Sequence, residues 1–108
     1  MSDQKQTVQE LKDAVEAFIV ARDWAKFNDP KSLSMSIAIE AAELMEIFQW
    51  TSTQDSWEIG ASEHLREELA DVMIYCLRLA SALDIDVAKA IEEKIVKNGK
   101  KYPVEESS

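Results

Sequence analysis

The chain has 108 residues, which is enough for one domain and too few for two. Its formal charge of −9 at pH 7 disfavours sequence-independent binding to nucleic acid, because such binding needs a basic surface. A single cysteine, Cys76, and a single histidine, His64, exclude an internal disulfide and a Cys/His zinc site. No apolar run approaches the roughly 18 residues that span a bilayer, and the N-terminus lacks a signal-peptide core. We therefore expect a cytoplasmic protein without a membrane partner.

The first predicted helix is marked by its N-terminal sequence. With only two Gly and two Pro in the chain, long helices are favoured over short strands joined by turns. Thr7-Val8-Gln9-Glu10 has the form of a capping box. Apolar residues then recur at three- and four-residue spacing as far as Phe27. Asn28-Asp29-Pro30 is predicted to end this helix, because a residue before proline is displaced from helical backbone angles.

A second predicted helix begins near Ser32 or Ser34, both of which are suitable N-caps, and extends to about Trp50. Its apolar residues recur with the helical period and form one stripe. The following segment, Thr51–Ala61, is polar and contains Gly60. Because this segment shows no hydrophobic period, we predict a loop there.

Two further helices are predicted to begin at Ser62 and at Asp86, which are both good N-caps. Between Val72 and Leu83 the third helix is apolar almost all round, which indicates burial on every side. One small chain cannot easily bury such a helix, so we infer that it also packs against a second subunit. The fourth helix is predicted to end at Asn98-Gly99, since glycine is common just past a helix end.

These elements predict an all-α fold, a four-helix bundle. The bundle forms one domain over residues 1–108, with frayed ends at about 1–5 and 104–108. The chain contains no internal repeats, linkers or low-complexity segments that would indicate a second unit.

Four carboxylates lie within apolar stretches of the second and third helices, in two pairs at i, i+3 spacing. Burying a lone carboxylate is costly, so acids within an apolar stripe need a partner. A metal ion is such a partner, and with Cys and His nearly absent it would be held by oxygen ligands, as Mg²⁺, Mn²⁺ and Ca²⁺ are. Di-iron and di-manganese bundles use similar spacing but also histidine. The alternative is that these four are ordinary exposed acids of an acidic protein: Glu40, Glu43, Glu68 and Asp71.

Several other side chains could contact a ligand. Trp24, Trp50 and Trp57 fall at helix ends or in the predicted loop, where they could close the core or stack on a nucleobase. Tyr75 follows Asp71 by one helical turn and therefore lies on the acidic face. A group near the end of the fourth helix could bind phosphate or sugar, although its lysines also suit the helix dipole: Lys94, Lys97, Asn98, Lys100, Lys101 and Tyr102.

The spacing of the acids resembles a family signature. Glu40-x-x-Glu43 followed by Glu68-x-x-Asp71 is similar to the ExxE…ExxD motif of the MazG-like, all-α nucleoside triphosphate pyrophosphohydrolases. The flanking residues resemble the dCTP-pyrophosphatase branch of that family over nearly the whole chain, from about Leu11 to Pro103. The segments that carry this resemblance are Arg22-Asp23-Trp24, Glu43-Leu44, Phe48-Gln49-Trp50, Glu67 to Val72, Ile74-Tyr75, and Asn98 to Pro103.

The resemblance implies an enzyme of nucleotide-pool housecleaning. Such an enzyme would cleave a deoxynucleoside triphosphate, dCTP or a related one, into the monophosphate and pyrophosphate. It would be an obligate homo-oligomer, a dimer or a dimer of dimers. Its Mg²⁺, for which Mn²⁺ could substitute, would be held by all four acids, and Glu43 or Glu40 could orient or deprotonate the attacking water.

The resemblance also implies which residues bind the nucleotide. Trp24 and Trp50 would contact the base, and Tyr75 the sugar or the base edge. Val15 stands where the animal members of the branch have a histidine, which removes a polar contact. The phosphate or nucleotide side would be contacted, in part from a neighbouring subunit, by Lys94, Asn98 and Tyr102. A hypothesis of a different class is a non-catalytic acidic helical module that binds a basic partner.

Overall fold

A computed structural model describes residues 1–105 of the chain. Within that part the fold is all-α, as predicted, with no strand and with five α-helices instead of four. Residues 106–108 of the predicted frayed end lie outside the described residues. The helices are α1 (Val8–Ala21), α2 (Pro30–Glu46), α3 (Thr53–Ile59), α4 (Glu63–Ala82) and α5 (Val87–Lys101), with a 3₁₀ turn at Ala25–Phe27.

Three helix starts are confirmed at the predicted residues. Thr7 Oγ1 accepts a hydrogen bond from the Glu10 amide at 3.1 Å, and Glu10 Oε1 accepts one from the Thr7 amide at 3.2 Å, which completes the capping box of α1. Ser62 and Asp86 cap α4 and α5 through side-chain oxygens that accept from backbone amides of the first turn.

The start of α2 was predicted too late. The N-cap is Asp29, whose Oδ2 accepts from the Ser32 amide at 2.9 Å, and not Ser32 or Ser34. Proline restricts the preceding residue to extended backbone, and Asp29 adopts a ψ of 146°. Because an N-cap needs that same conformation and Pro30 suits the first helical position, the residues that end one helix also begin the next. The Ser32 amide also lowers the pKa of the Asp29 carboxyl below its usual range.

The end of α1 was predicted too late as well. The helix ends at Ala21, where Asp23 takes the left-handed conformation with a φ of 56°. The Trp24 amide donates to the Ile19 carbonyl at 3.0 Å, and the Asp23 amide donates to the Val20 carbonyl at 3.1 Å. This pair of bonds is a Schellman motif, and it turns the chain before the predicted end at Phe27.

The segment Thr51–Ala61 is not the predicted loop. It contains the short helix α3, whose N-cap Ser52 accepts from the Asp55 amide at 3.0 Å. Gly60 ends the helix with a φ of 48°, a conformation that L side chains rarely adopt. A helix of two turns is too short to show a hydrophobic period, so its cap and its glycine are the only sequence signals.

Two further helix ends differ from the prediction. α2 ends at Glu46 because the chain tightens into i to i+3 turns before Trp50. α5 continues past the predicted end at Asn98-Gly99 to Lys101. No heavy atom lies within 4 Å of the Cβ position of Gly99, so no close approach of the chain requires glycine there.

Helix α4 is the centre of the packing, with α2 packed along it most extensively and α1 beside it. The buried apolar residues come from these three helices: Ile19, Leu33, Leu77 and Ala80. Helix α5 contributes no buried residue. The radius of gyration is 17.0 Å, whereas a compact domain of this length would have about 13 Å. Among residues 1–105, no helix combines the length and the apolar character that crossing a membrane requires.

Candidate metal centre

Three of the four predicted acids converge between α2 and α4. Glu40 of α2 and Glu68 and Asp71 of α4 each offer one carboxylate oxygen, and these oxygens all lie within 4.8 Å of one another. The extensive packing of α2 on α4 brings the two helices together here. The i, i+3 spacing places Glu68 and Asp71 one turn apart on the same face of α4.

The surroundings of Glu40 disfavour its ionised form. Burial raises the pKa of Glu40 to about 7, with contributions from the neighbouring Glu43 carboxyl and from the charges of Asp71 and Glu68. Within residues 1–105, Glu40 Oε2 and Glu68 Oε2 are buried without any hydrogen-bond donor. Carboxylate oxygens that are buried, unpaired and close together are what a bound cation would satisfy.

This acidic cluster could therefore hold a divalent cation. In the described part of the chain, the one basic side chain paired with it is His64, whose Nε2 lies 3.4 Å from Glu68 Oε1. No lysine or arginine of residues 1–105 forms an ion pair with these acids. Glu43 is exposed and lies beside Glu40, outside the group of three converging oxygens.

A cavity of about 380 Å³ adjoins the cluster through Asp71. This volume is within the range of small-molecule sites, about 300–1,000 Å³. Trp24 and Tyr75, two of the predicted nucleotide-binding residues, line this cavity together with Asp71. Most of the other lining side chains are apolar and come from α1 and α4: Ala14, Val15, Phe18, Ile19 and Ile74.

Trp24 is held at the cavity by the end of α1. The Schellman motif places Trp24 just beyond the helix, where its ring meets the Phe18 ring edge to face at 5.7 Å between centroids. The Arg22 guanidinium lies 3.5 Å from the centroid of the Phe18 ring and covers it. The Trp24 side chain remains 42% exposed, so its ring is available to a ligand.

Four predicted nucleotide-binding residues do not line this cavity. Trp50 is 90% exposed, in the turns that follow α2. The other three are exposed and lie on α5 or at its C-terminal end: Lys94, Asn98 and Tyr102. Within one chain, Trp24 and Tyr75 therefore line the cavity, whereas Trp50 and the three predicted residues in or just after α5 do not.

Arg78 also lines the cavity, although no role was predicted for it from the sequence. Only 8% of the residue is exposed, and its Nε and Nη2 donate to Asn28 Oδ1 at 3.1 and 2.7 Å. Its guanidinium lies 5.0 Å from the centroid of the Tyr75 ring. The sequence signal for Arg78 was a charged residue within an apolar run, which is the same pattern that predicted the four acids.

The helical fold and the acidic cluster define the class of this protein. The chain belongs to the MazG-like family, whose model matches residues 35–108. That match includes all four acids of the ExxE…ExxD spacing, and it confirms the family resemblance seen in the sequence.

Individual relatives are consistent with this assignment. The chain is 33% identical to rat dCTP pyrophosphatase 1 over 102 residues, which are 91% of this chain and 60% of that protein. It is 32% identical to human dCTP pyrophosphatase 1 over 101 residues, 90% of this chain and 59% of that protein. The chain thus spans about 60% of the length of these relatives. A crystal structure of a pyrophosphatase from Archaeoglobus fulgidus DSM 4304 matches with a TM-score of 0.86 and 39% identity, covering 96% of this chain and 99% of that one.

Proposed function

We propose that this protein is a Mg²⁺-dependent pyrophosphohydrolase that cleaves a deoxynucleoside triphosphate, dCTP or a related one, into the monophosphate and pyrophosphate. The observation that carries the proposal is the cluster of Glu40, Glu68 and Asp71, because Asp71 also lines an aromatic cavity. The relatives named dCTP pyrophosphatase 1 support the reaction and the substrate. A role in nucleotide-pool housecleaning in the cytoplasm is part of this proposal.

The residues would divide the work as follows. Glu40, Glu68 and Asp71 would hold the ion, with Glu43 beside Glu40 as a further ligand or as the group that receives the proton of the attacking water. A divalent ion bound there supplies charge neutralisation at the phosphates and lowers the pKa of a bound water. Mn²⁺, which also prefers oxygen ligands, could replace Mg²⁺. The base would stack on Trp24, and Tyr75 would contact the sugar or the base edge.

The proposal includes a four-helix bundle that assembles as an obligate homo-oligomer, a dimer or a dimer of dimers. Helix α5 has no buried residue, and its apolar side chains Ile91 and Ile95 are 55% and 64% exposed. A second subunit that covered this surface could also bring the remaining predicted residues to the nucleotide. These residues are Trp50, Lys94, Asn98 and Tyr102.

The proposal is tested by assaying pyrophosphate release from a panel of ribo- and deoxynucleoside triphosphates, with Mg²⁺ and with EDTA. We expect Mg²⁺-dependent release of pyrophosphate and a monophosphate, fastest from dCTP or a related deoxynucleotide. Release of inorganic phosphate in place of pyrophosphate would contradict the cleavage position. If no nucleotide were turned over in the presence of Mg²⁺, the acidic interaction module would be the better hypothesis.

A further inference from the structure

We propose that Arg78 recognises the base of the substrate, and that it selects cytosine because cytosine presents two adjacent hydrogen-bond acceptors. This inference rests on the proposed function and concerns the same cavity. It assigns base selectivity to a residue of α4, on the cavity wall that also carries Tyr75 and Asp71.

The first observation is that Arg78 is a buried cation without a carboxylate partner. Only 8% of the residue is exposed, and within residues 1–105 it forms no ion pair. Its polar partner is the neutral amide oxygen of Asn28. A buried charge is costly unless its hydrogen-bond donors are satisfied. Asn28 accepts from only two of the five N–H donors of Arg78, so the remaining donors are available for a ligand.

The second observation is the edge of the guanidinium that Asn28 leaves free. Nε and Nη2 form one edge of the planar fork, and both donate to Asn28 Oδ1. The other edge consists of Nη1 and the second N–H of Nη2. In the part of the chain that the structure describes, Nη1 has no hydrogen-bond partner. Two parallel donors are thus held in a fixed orientation by Asn28 and by the Tyr75 ring, 5.0 Å away.

The third observation is the order of side chains along α4. Asp71, Tyr75 and Arg78 are spaced at i, i+4 and i+7, which places them on one face of the helix. The seven residues from Asp71 to Arg78 correspond to about 10 Å along the helix axis. A nucleotide whose phosphates lie at the acidic cluster would therefore extend its sugar past Tyr75 and its base towards Arg78.

The free edge of Arg78 matches the acceptor pattern of cytosine. O2 and N3 of cytosine are adjacent acceptors, as O6 and N7 of guanine are in the usual arginine contact with DNA. In uracil and thymine, N3 carries a hydrogen and is a donor, so two hydrogen-bond donors would face each other at this position. Since a hydrogen bond to a charged group contributes strongly when water is excluded, we expect about 10- to 100-fold selection for dCTP over dUTP in kcat/KM.

The first experiment uses the unaltered protein with three substrates. We expect kcat/KM to be about 10- to 100-fold lower for dUTP than for dCTP. A similar loss is expected for 3-deaza-dCTP, in which a C–H group replaces the N3 acceptor. Equal kcat/KM for dCTP and either of the other two would overturn the inference. Absence of turnover of every nucleotide would instead contradict the proposed function, so the two failures are distinguishable.

The second experiment compares variants of the same helix. Arg78→Met and Arg78→Lys, which lack the planar pair of donors, should bring the ratio of kcat/KM for dCTP and dUTP to within about threefold of unity. Arg66→Met changes an exposed arginine of α4 and should leave the ratio unchanged. If Arg78 had a purely structural role, its substitution would lower kcat/KM for dCTP and for dUTP by the same factor. An unchanged ratio of the two would therefore overturn the inference.

Discussion

Glu40 is the residue at which burial and charge conflict most strongly. Burial, the neighbouring Glu43 carboxyl, and the charges of Asp71 and Glu68 together raise its pKa from 4.5 to about 7. A carboxyl with a raised pKa binds its proton more tightly in the folded state than in the unfolded state. The folded protein without metal is therefore penalised when Glu40 is ionised, and a bound cation would relieve that penalty.

This conflict gives the stability of the metal-free protein a definite pH dependence. Because the folded pKa of Glu40 lies above the unfolded one, stability should fall as the pH rises from about 4.5 to about 7 and remain low above that window. Thermal unfolding in EDTA should show this loss, and the Glu40→Gln variant should show a smaller one. Saturating Mg²⁺ should raise the unfolding temperature most at pH 8. An equal pH dependence in both proteins would contradict the assignment.

Asn28 is expected to contribute to stability through Arg78. Removing its amide in Asn28→Ala leaves Nε and Nη2 of a buried guanidinium without their acceptor. The free energy of unfolding should fall by about 1.5–3 kcal/mol, as for hydrogen bonds to charged groups. Urea denaturation would measure this change in the free energy of unfolding. The control is Gln49→Ala, which removes an exposed side-chain amide. A loss no larger than that of the control would show that the bond is not structurally important.

The acids and Arg78 differ in how far the sequence reveals them. The acidic pairs that begin at Glu40 and Glu68 were predicted because a short stretch of sequence shows them. Each is an acid within an apolar stripe, followed one helical turn later by a second acid. Arg78 has the same kind of setting, but its acceptor Asn28 is distant in the chain and in a different element. A contact between distant segments depends on how the helices pack, and the periodicity of one helix does not contain that information.

At the level of elements, both α1 and α4 end in the same unusual way. Asp23 and Asp84 take left-handed angles, with φ of 56° and 53°, at the position where glycine is usual. After α4 the Ile85 amide donates to the Ala80 carbonyl at 2.8 Å, which closes a second Schellman motif. The first of these motifs places Trp24 beside Phe18 at the cavity, so the termination of α1 shapes the candidate site.

Substitutions at Asp84 should report on this helix end. Asp84→Gly removes the steric cost of the left-handed conformation, but glycine also gives the unfolded chain more conformational freedom. The first effect is the larger, so we expect a net stabilisation of about 0.5–1 kcal/mol. Asp84→Ala, which keeps the steric cost and loses the local polar side chain, should destabilise the protein. Thermal unfolding of the two variants should therefore shift in opposite directions, and a shift in the same direction would contradict the role of the backbone angle.

Helix starts were more predictable than helix ends. The caps at Thr7, Ser62 and Asp86 are hydrogen bonds within a few residues of sequence, so a short motif is enough to identify them. The end of α1 was misplaced because the expected signal was Pro30, whereas the chain already turns at Asp23, an aspartate in the left-handed conformation. In α5, Gly99 lies inside the helix and does not end it.

At the level of the whole molecule, the single chain leaves a large apolar surface uncovered. The radius of gyration of 17.0 Å exceeds the value of about 13 Å for a compact domain of this length. Apolar side chains of the α4 segment that was predicted to contact a second subunit, Met73 and Ile74, are 53% and 39% exposed. An extended monomer with such surface on both α4 and α5 supports the proposed oligomer.

Disrupting the apolar face of α5 should separate the subunits. Ile95→Asp places a charge on that face, and we expect sedimentation or light scattering to show a shift towards the monomer, with a loss of pyrophosphate release. Val104→Asp is the matched control, because Val104 is 93% exposed and lies beyond the end of α5. A protein that is monomeric before any substitution, and active, would contradict the proposed oligomer.

The central claim is that Glu40, Glu68 and Asp71 hold a catalytic divalent ion, and Mn²⁺ binding followed by electron paramagnetic resonance tests it most directly. The unaltered protein should bind Mn²⁺ in competition with Mg²⁺. Glu40→Gln and Asp71→Asn should each weaken binding at least about tenfold, because losing a group that only orients a metal ligand already costs about 10- to 100-fold. Glu46→Gln, at an exposed acid near the end of α2, should leave binding unchanged. Equal affinity in the Glu40 and Asp71 variants, with the fold retained, would contradict the assignment of the metal centre.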